Sequence, residues 1–150
     1  MATSANATIE VTTSAQYSST NPLGFAYTGT SRLNQIAQFP SSSVNKVWSA
    51  QYIGSSPVTV DVTSLTDAYG NALVYTTVAA LIVQIVSASG NLVVGGGSNP
   101  LLGSDQYTIK GTANSSMLPI SWPFTVSGTA KVITLTPSTS LTFNIIVIGS

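Results

Sequence analysis

The polar and apolar positions of the chain alternate most clearly between residues 58 and 98. Val58, Val60 and Val62 fall on one side of an extended segment and Thr59, Asp61 and Thr63 on the other, the period of a half-buried strand. The segment 67–71 (DAYGN) then collects residues that tolerate tight turns and positive φ. Residues 79–86 (AALIVQIV) are apolar on both faces, so a strand there needs cover on both sides. Ser89, Gly90 and Asn91 reverse the chain into Leu92, Val93 and Val94, which end at Gly95, Gly96 and Gly97. The pattern predicts the middle of a β-sandwich.

The flanking segments follow the same grammar. Residues 1–31 are small and polar, with Ile9, Val11, Tyr17, Phe25 and Tyr27 scattered among them. They predict an extended N-terminal arm with short strands at Ile9–Thr13 and Phe25–Thr28, laid on its own domain or on a neighbour. The sandwich domain is expected over 32–150. Within 32–53 two strands are separated by a loop at 40–43 (PSSS), and the second sets Trp48, Ala50 and Tyr52 against Val47, Ser49 and Gln51. Tyr107 to Lys110 predicts a short strand. The run 117–124 (MLPISWPF) carries Pro119 and Pro123, each lacking a ladder donor, and predicts an edge strand or exposed apolar loop. Strands at 124–127, 132–136 and 141–148 close the domain, and the last is apolar enough to be central in a sheet or paired with another subunit. Turn signals recur every roughly 8 to 12 residues, and helix content near zero is expected. An eight-stranded jelly roll is the favoured topology and a seven-stranded immunoglobulin-like sandwich the second.

Composition sharpens this picture. Only 5% of the 150 residues are charged, against roughly 25% in average usage. Polarity comes from Ser and Thr, 43 of the 150 residues. The longest apolar stretch, Val78 to Val83, is far short of the ~20 residues of a spanning helix. A net charge of zero gives little colloidal repulsion, and the composition suits an assembly subunit and a secreted Ser/Thr-rich β-domain equally. The N-terminus has neither a basic region nor an apolar core, so no signal peptide is expected. The glycosylation sequons at Asn6 and Asn114 are then chance matches in a Ser/Thr-rich chain.

Little in the chain offers chemistry. Without Cys or His there are no disulfides, no Cys-containing zinc sites and no His general base. The four carboxylates are Glu10, Asp61, Asp67 and Asp105; Asp61 belongs on the solvent side of a strand and Asp67 opens a turn, so a glycosidase pair is not expected. Turn chemistry accounts for Asp67, Gly70 and Asn71 without calcium. The triple glycine lacks the helix and lysine of a phosphate loop and suits a bulge or close backbone approach. Arg32, Lys46, Lys110 and Lys131 are spread singly, unlike a nucleic-acid patch. Trp48, Tyr52, Tyr69, Tyr107 and Trp122 are read as core or interface packing, with a sugar-binding platform as the alternative. No catalytic, cofactor-binding or metal residue is assigned.

Five stretches carry a resemblance: KVW at 46–48, VDVTSLTDAYGNAL at 60–73, VAALIV at 78–83, VVGGGSN at 93–99 and IIVIG at 145–149. Together they resemble small β-rich virion structural proteins of tailed bacteriophages, with their LTDxxGxxLxFxxVKAL centre, VGG-SN corner and YDIVIIG end. The resemblance spans about residues 44–149. Ala79 and Ala80 stand where a basic residue is common, and the segment from Met117 to Trp122 replaces a proline-glycine-glycine turn. The resemblance implies a non-enzymatic decoration or cement protein on the capsid exterior, with the major capsid protein as partner; closed symmetry is the default for assembly subunits, and a homo-trimer would suit a capsid's threefold positions. Localisation on the virion surface after assembly in the host cytoplasm follows, with no cofactor, nucleic acid or membrane partner. Candidate assembly contacts are Ile9, Val11, Tyr17, Phe25 and Tyr27 in the arm and Met117, Leu118, Ile120 and Trp122 in the loop. A carbohydrate- or receptor-binding module at the tail or on a fibre is the alternative reading.

Overall fold

In the computed structural model, residues 44–87, 89–111, 120 and 123–150 are described in full, and the strands at 7–20, 26–39 and 117–119 by their backbone. In chain order the strands are β1 (Ala7–Thr20), β2 (Ala26–Phe39), β3 (Lys46–Gly54), β4 (Val58–Asp61), β5 (Leu65–Thr66), β6 (Ala72–Leu73) and β7 (Thr77–Ile85). They continue as β8 (Gly90–Gly95), β9 (Gln106–Gly111), β10 (Met117–Ile120), β11 (Phe124–Thr125), β12 (Val132–Pro137) and β13 (Leu141–Gly149). β1 and β2 pair antiparallel with each other, from Ala7 opposite Phe39 to Thr20 opposite Ala26, and are longer than the short strands expected there.

Two four-stranded antiparallel sheets pack face to face. The first has the order β10-β7-β13-β3, with β11 also on β7, and the second the order β4-β12-β8-β9. The pairs nest in sequence: β8 with β9, then β7 with β10, then β4 with β12, then β3 with β13. Each pair encloses the one before it, so the sandwich is one long antiparallel ribbon whose innermost bend lies between β8 and β9. Pairing of β13 with β7 and of β12 with β8 then knits neighbouring turns of the ribbon into sheets.

Period-2 patterning decides which side chains lie between the sheets. Leu81, Val83 and Ile85 of β7 and Phe143, Ile145 and Val147 of β13 face Val60 of β4, Ile133 and Leu135 of β12, Leu92 and Val94 of β8 and Ile109 of β9. Nearly all of these are completely buried, each worth about 1.5–3 kcal/mol relative to exposure. Trp48, Ala50 and Tyr52 of β3 close the core at one edge, half-buried, with the Tyr52 ring 5.7 Å from that of Phe143. The alternation of Val58, Val60 and Val62 against Thr59 and Thr63 holds, and β13 is a central strand.

Backbone chemistry fixes the corners. Gly95, Gly96 and Gly97 all have positive φ, and a Cβ at each would run into Asp105, Gln106 and Thr134 respectively. This is the close approach expected of the triple glycine. At the β5–β6 turn one Asp67 carboxylate oxygen accepts the N–H groups of Tyr69 and Asn71, both at 2.8 Å, and the other accepts the Asn71 amide at 3.0 Å. Those bonds hold its carboxyl below the usual range, the Asn71 side-chain amide contributing most. Tyr75 is buried, and its hydroxyl donates to the Val147 carbonyl at 3.2 Å; burial pushes its pKa upward.

Candidate functional site

The two outer faces of the sandwich differ in kind. On the first sheet the pairing registers give rows that run across β3, β13 and β7. Gln51, Asn144 and Gln84 form one row. The Gln51 amide donates to Asn144 at 2.9 Å, and the Asn144 amide donates to Gln84 at 3.3 Å. The next two rows are Ser49, Ile146 and Ile82, then Val47, Ile148 and Ala80. Ala80 and Ile148 are buried there with Val44 and Ala79, and half-buried Ile82 and Ile146 pack on them. The outer side of the doubly apolar β7 is thus buried at Ala80 and half-buried at Ile82, with Val44 of the segment before β3 packed in the same cluster. Opposite Ile148 the register shifts, leaving Ala79 as the extra residue between Ala80 and Val78. Ala79 and Ala80 therefore lie at a packed β-bulge.

The outer face of the second sheet is threonine-rich and carries charge. Thr59 pairs with Thr134, Thr136 with Val93, Val93 with Thr108, and Asn91 with Lys110. Lys131 contacts Asp61 at 2.7 Å, and Asp61 also accepts from the Thr63 N–H at 2.9 Å and the Thr63 hydroxyl at 2.6 Å. Partial burial raises the Asp61 pKa, but the Lys131 ammonium and both Thr63 donors outweigh it and hold the carboxyl below its usual value. Beside this pair an open groove of about 600 Å³ is lined by Thr59, Ser64, Ser98, Asn99, Thr134 and the edge of Tyr52. The Thr134 hydroxyl oxygen there is buried with no hydrogen-bond partner among the described residues.

The residues singled out in the sequence fall in separate places. Ile9, Val11 and Tyr17 lie on β1 and Tyr27 on β2, but their side chains, like the whole of Phe25 and Trp122, are outside the described residues. β10 is an edge strand, as the prolines imply. It registers Met117 with Gln84 and Pro119 with Ile82 at outer-face positions, and Leu118 with Val83 and Ile120 with Leu81 at core-face positions. The side chains of Met117 and Leu118 are outside the description, whereas Ile120 is half-buried against the main core. Among the described aromatics, Trp48 and Tyr52 pack on the core, Tyr69 stands 91% exposed at the β5–β6 turn and Tyr107 lies on β9. No sugar-binding platform assembles from them.

Two features of this surface were not singled out from sequence. Val47 and Ile53 point outward from the edge strand β3, 51% and 74% exposed. Their period-2 spacing with Ser49 and Gln51 was the available signal. The amide row had none, because Gln51, Asn144 and Gln84 meet only through pairing of three distant strands. No family model matches the chain, and neither a curated protein nor a solved structure does.

Proposed function

We propose that the chain is a non-enzymatic structural subunit of a tailed-bacteriophage virion, a decoration or cement protein that binds the outer surface of the major capsid protein lattice and stabilises the head. The observation that carries this reading is the nested strand order. Numbering the eight sandwich strands in sequence, the sheets run 6-3-8-1 and 2-7-4-5. That order is read as a jelly roll, two Greek keys wound from one ribbon, in preference to an immunoglobulin-like sandwich; jelly rolls serve viral capsid and lectin domains. The resemblance of residues 44–149 to virion proteins points the same way, and an apolar, uncharged outer face suits a covered surface. In this reading the chain works as a homo-oligomer on the capsid surface, after assembly in the host cytoplasm.

Antibody-gold labelling of intact particles from the source tests the proposal. Label distributed over the head is the expected result, and particles without head label would overturn it. Deleting residues 1–31 should weaken attachment while the sandwich stays folded, read by co-sedimentation with particles and by circular dichroism.

The groove beside Asp61 and Lys131, where polar groups mix with Val60, Leu65 and Val132, favours a second reading, a carbohydrate- or receptor-binding module at the tail. Label confined to the tail tip and binding on a glycan array that Asp61→Asn abolishes would support it; a blank array would remove it.

A further inference from the structure

We propose that the chain dimerises by antiparallel pairing of β3 with β3 of a second copy, about a twofold axis at Ala50, so that the first sheets of both copies become one continuous sheet. The pairing concerns the purified chain alone and stands apart from the virion reading.

The four sheet edges are not equally protected. A free edge presents unpaired N–H and C=O groups, and proteins blunt such edges with prolines, charges or short strands. β4 is four residues long, follows Pro57 and ends at Asp61. β9 carries Lys110. β10 is four residues long and contains Pro119. β3 has none of these devices past its first residue. It runs nine residues, is uncharged from Val47 to Gly54, contains no proline and keeps an unbroken register with β13 along its whole length. Among the described residues no strand pairs with its other side.

The sequence of β3 is also complementary to itself. With Ala50 on the twofold, Val47 of one copy lies opposite Ile53 of the other, Ser49 opposite Gln51, and Trp48 opposite Tyr52. Apolar meets apolar and polar meets polar on the outer face, and aromatic meets aromatic on the inner one, the pairs that stabilise antiparallel strands. Sliding the axis to Ser49 sets Val47 against Gln51, and sliding it to Gln51 sets Ser49 against Ile53. Only the Ala50 register joins the two exposed aliphatic side chains of the edge, Val47 and Ile53. That match selects a second copy as the occupant over an unrelated strand.

Sedimentation velocity of the full chain over a wide concentration range tests the pairing with two variants of equal bulk. In Val47→Lys/Ile53→Lys the register brings like charges together at both symmetric pairs. In Val47→Lys/Ile53→Glu it brings opposite charges together at the same places. The wild type should dimerise with rising concentration, the first variant should raise the dissociation constant by at least about tenfold, and the second should stay within about threefold of wild type. Both variants alter exposed side chains only, and their circular dichroism should match that of the wild type. A wild type that stays monomeric throughout, or two variants that dissociate alike, would overturn the proposal.

Discussion

The outer faces of the two sheets come from one alternating pattern yet end in opposite chemistry. The second sheet shows water a threonine surface with the Asp61–Lys131 pair on it. The first shows a row of linked amides beside the half-buried Ile82 and Ile146, and no ionised group lies in the rows of Gln51, Ser49 and Val47. In a chain that is only 5% charged, where the charges sit is informative. The second sheet carries the ion pair, and the first is the face proposed for contact.

Four substitutions sharpen or break that contrast. Ile148→Asp places a carboxylate in the buried cluster with Val44, Ala79 and Ala80, and should lower the unfolding free energy by about 3–5 kcal/mol. Thr136→Asp on the other sheet is exposed and should stay within about 0.5 kcal/mol of wild type. Urea unfolding measures both, and equal effects would erase the distinction between the faces.

Thr134→Val removes a buried hydroxyl that has no partner among the described residues, and should stabilise the protein by about 1 kcal/mol. A loss of stability in the same urea assay would mean that this hydroxyl contributes to the fold.

A small, pH-dependent effect belongs to Asp61. Its carboxyl is held below the usual value, so its contribution is present above the unfolded pKa of about 3.9 and fades as pH falls through the folded one. Asp61→Asn should cost about 1 kcal/mol or less at neutral pH and flatten the acid limb of stability against pH. An unchanged acid limb would show that the ion pair is a surface contact without energetic weight.

Much of the fold is legible in local pattern. The valines at 58, 60 and 62, the turn at Asp67 to Asn71 and the triple glycine each specify their own geometry through side-chain period or backbone sterics. The doubly apolar run at 79–86 announces a strand covered on both sides. Its neighbours there are not legible, because Val44 and Ile148 are far away in sequence and Ile148 meets Ala80 only once β13 has paired with β7. The amide row and the Lys131 partner of Asp61 are hidden for the same reason: they depend on registers between distant strands. Patterning shows which face a residue takes, whereas register decides whom it meets. The same limit explains why the exposed Val47 and Ile53 read as routine alternation until β3 proved to be an edge.

Hydroxyl-radical footprinting, comparing the free chain with the chain on intact particles, is the most direct test of a contact surface on the first sheet. The account predicts that Ile82 and Ile146 lose reactivity in the assembled state while Val93 and Tyr107 of the second sheet keep theirs. Protection of Val93 and Tyr107 with Ile146 as reactive as before would contradict it.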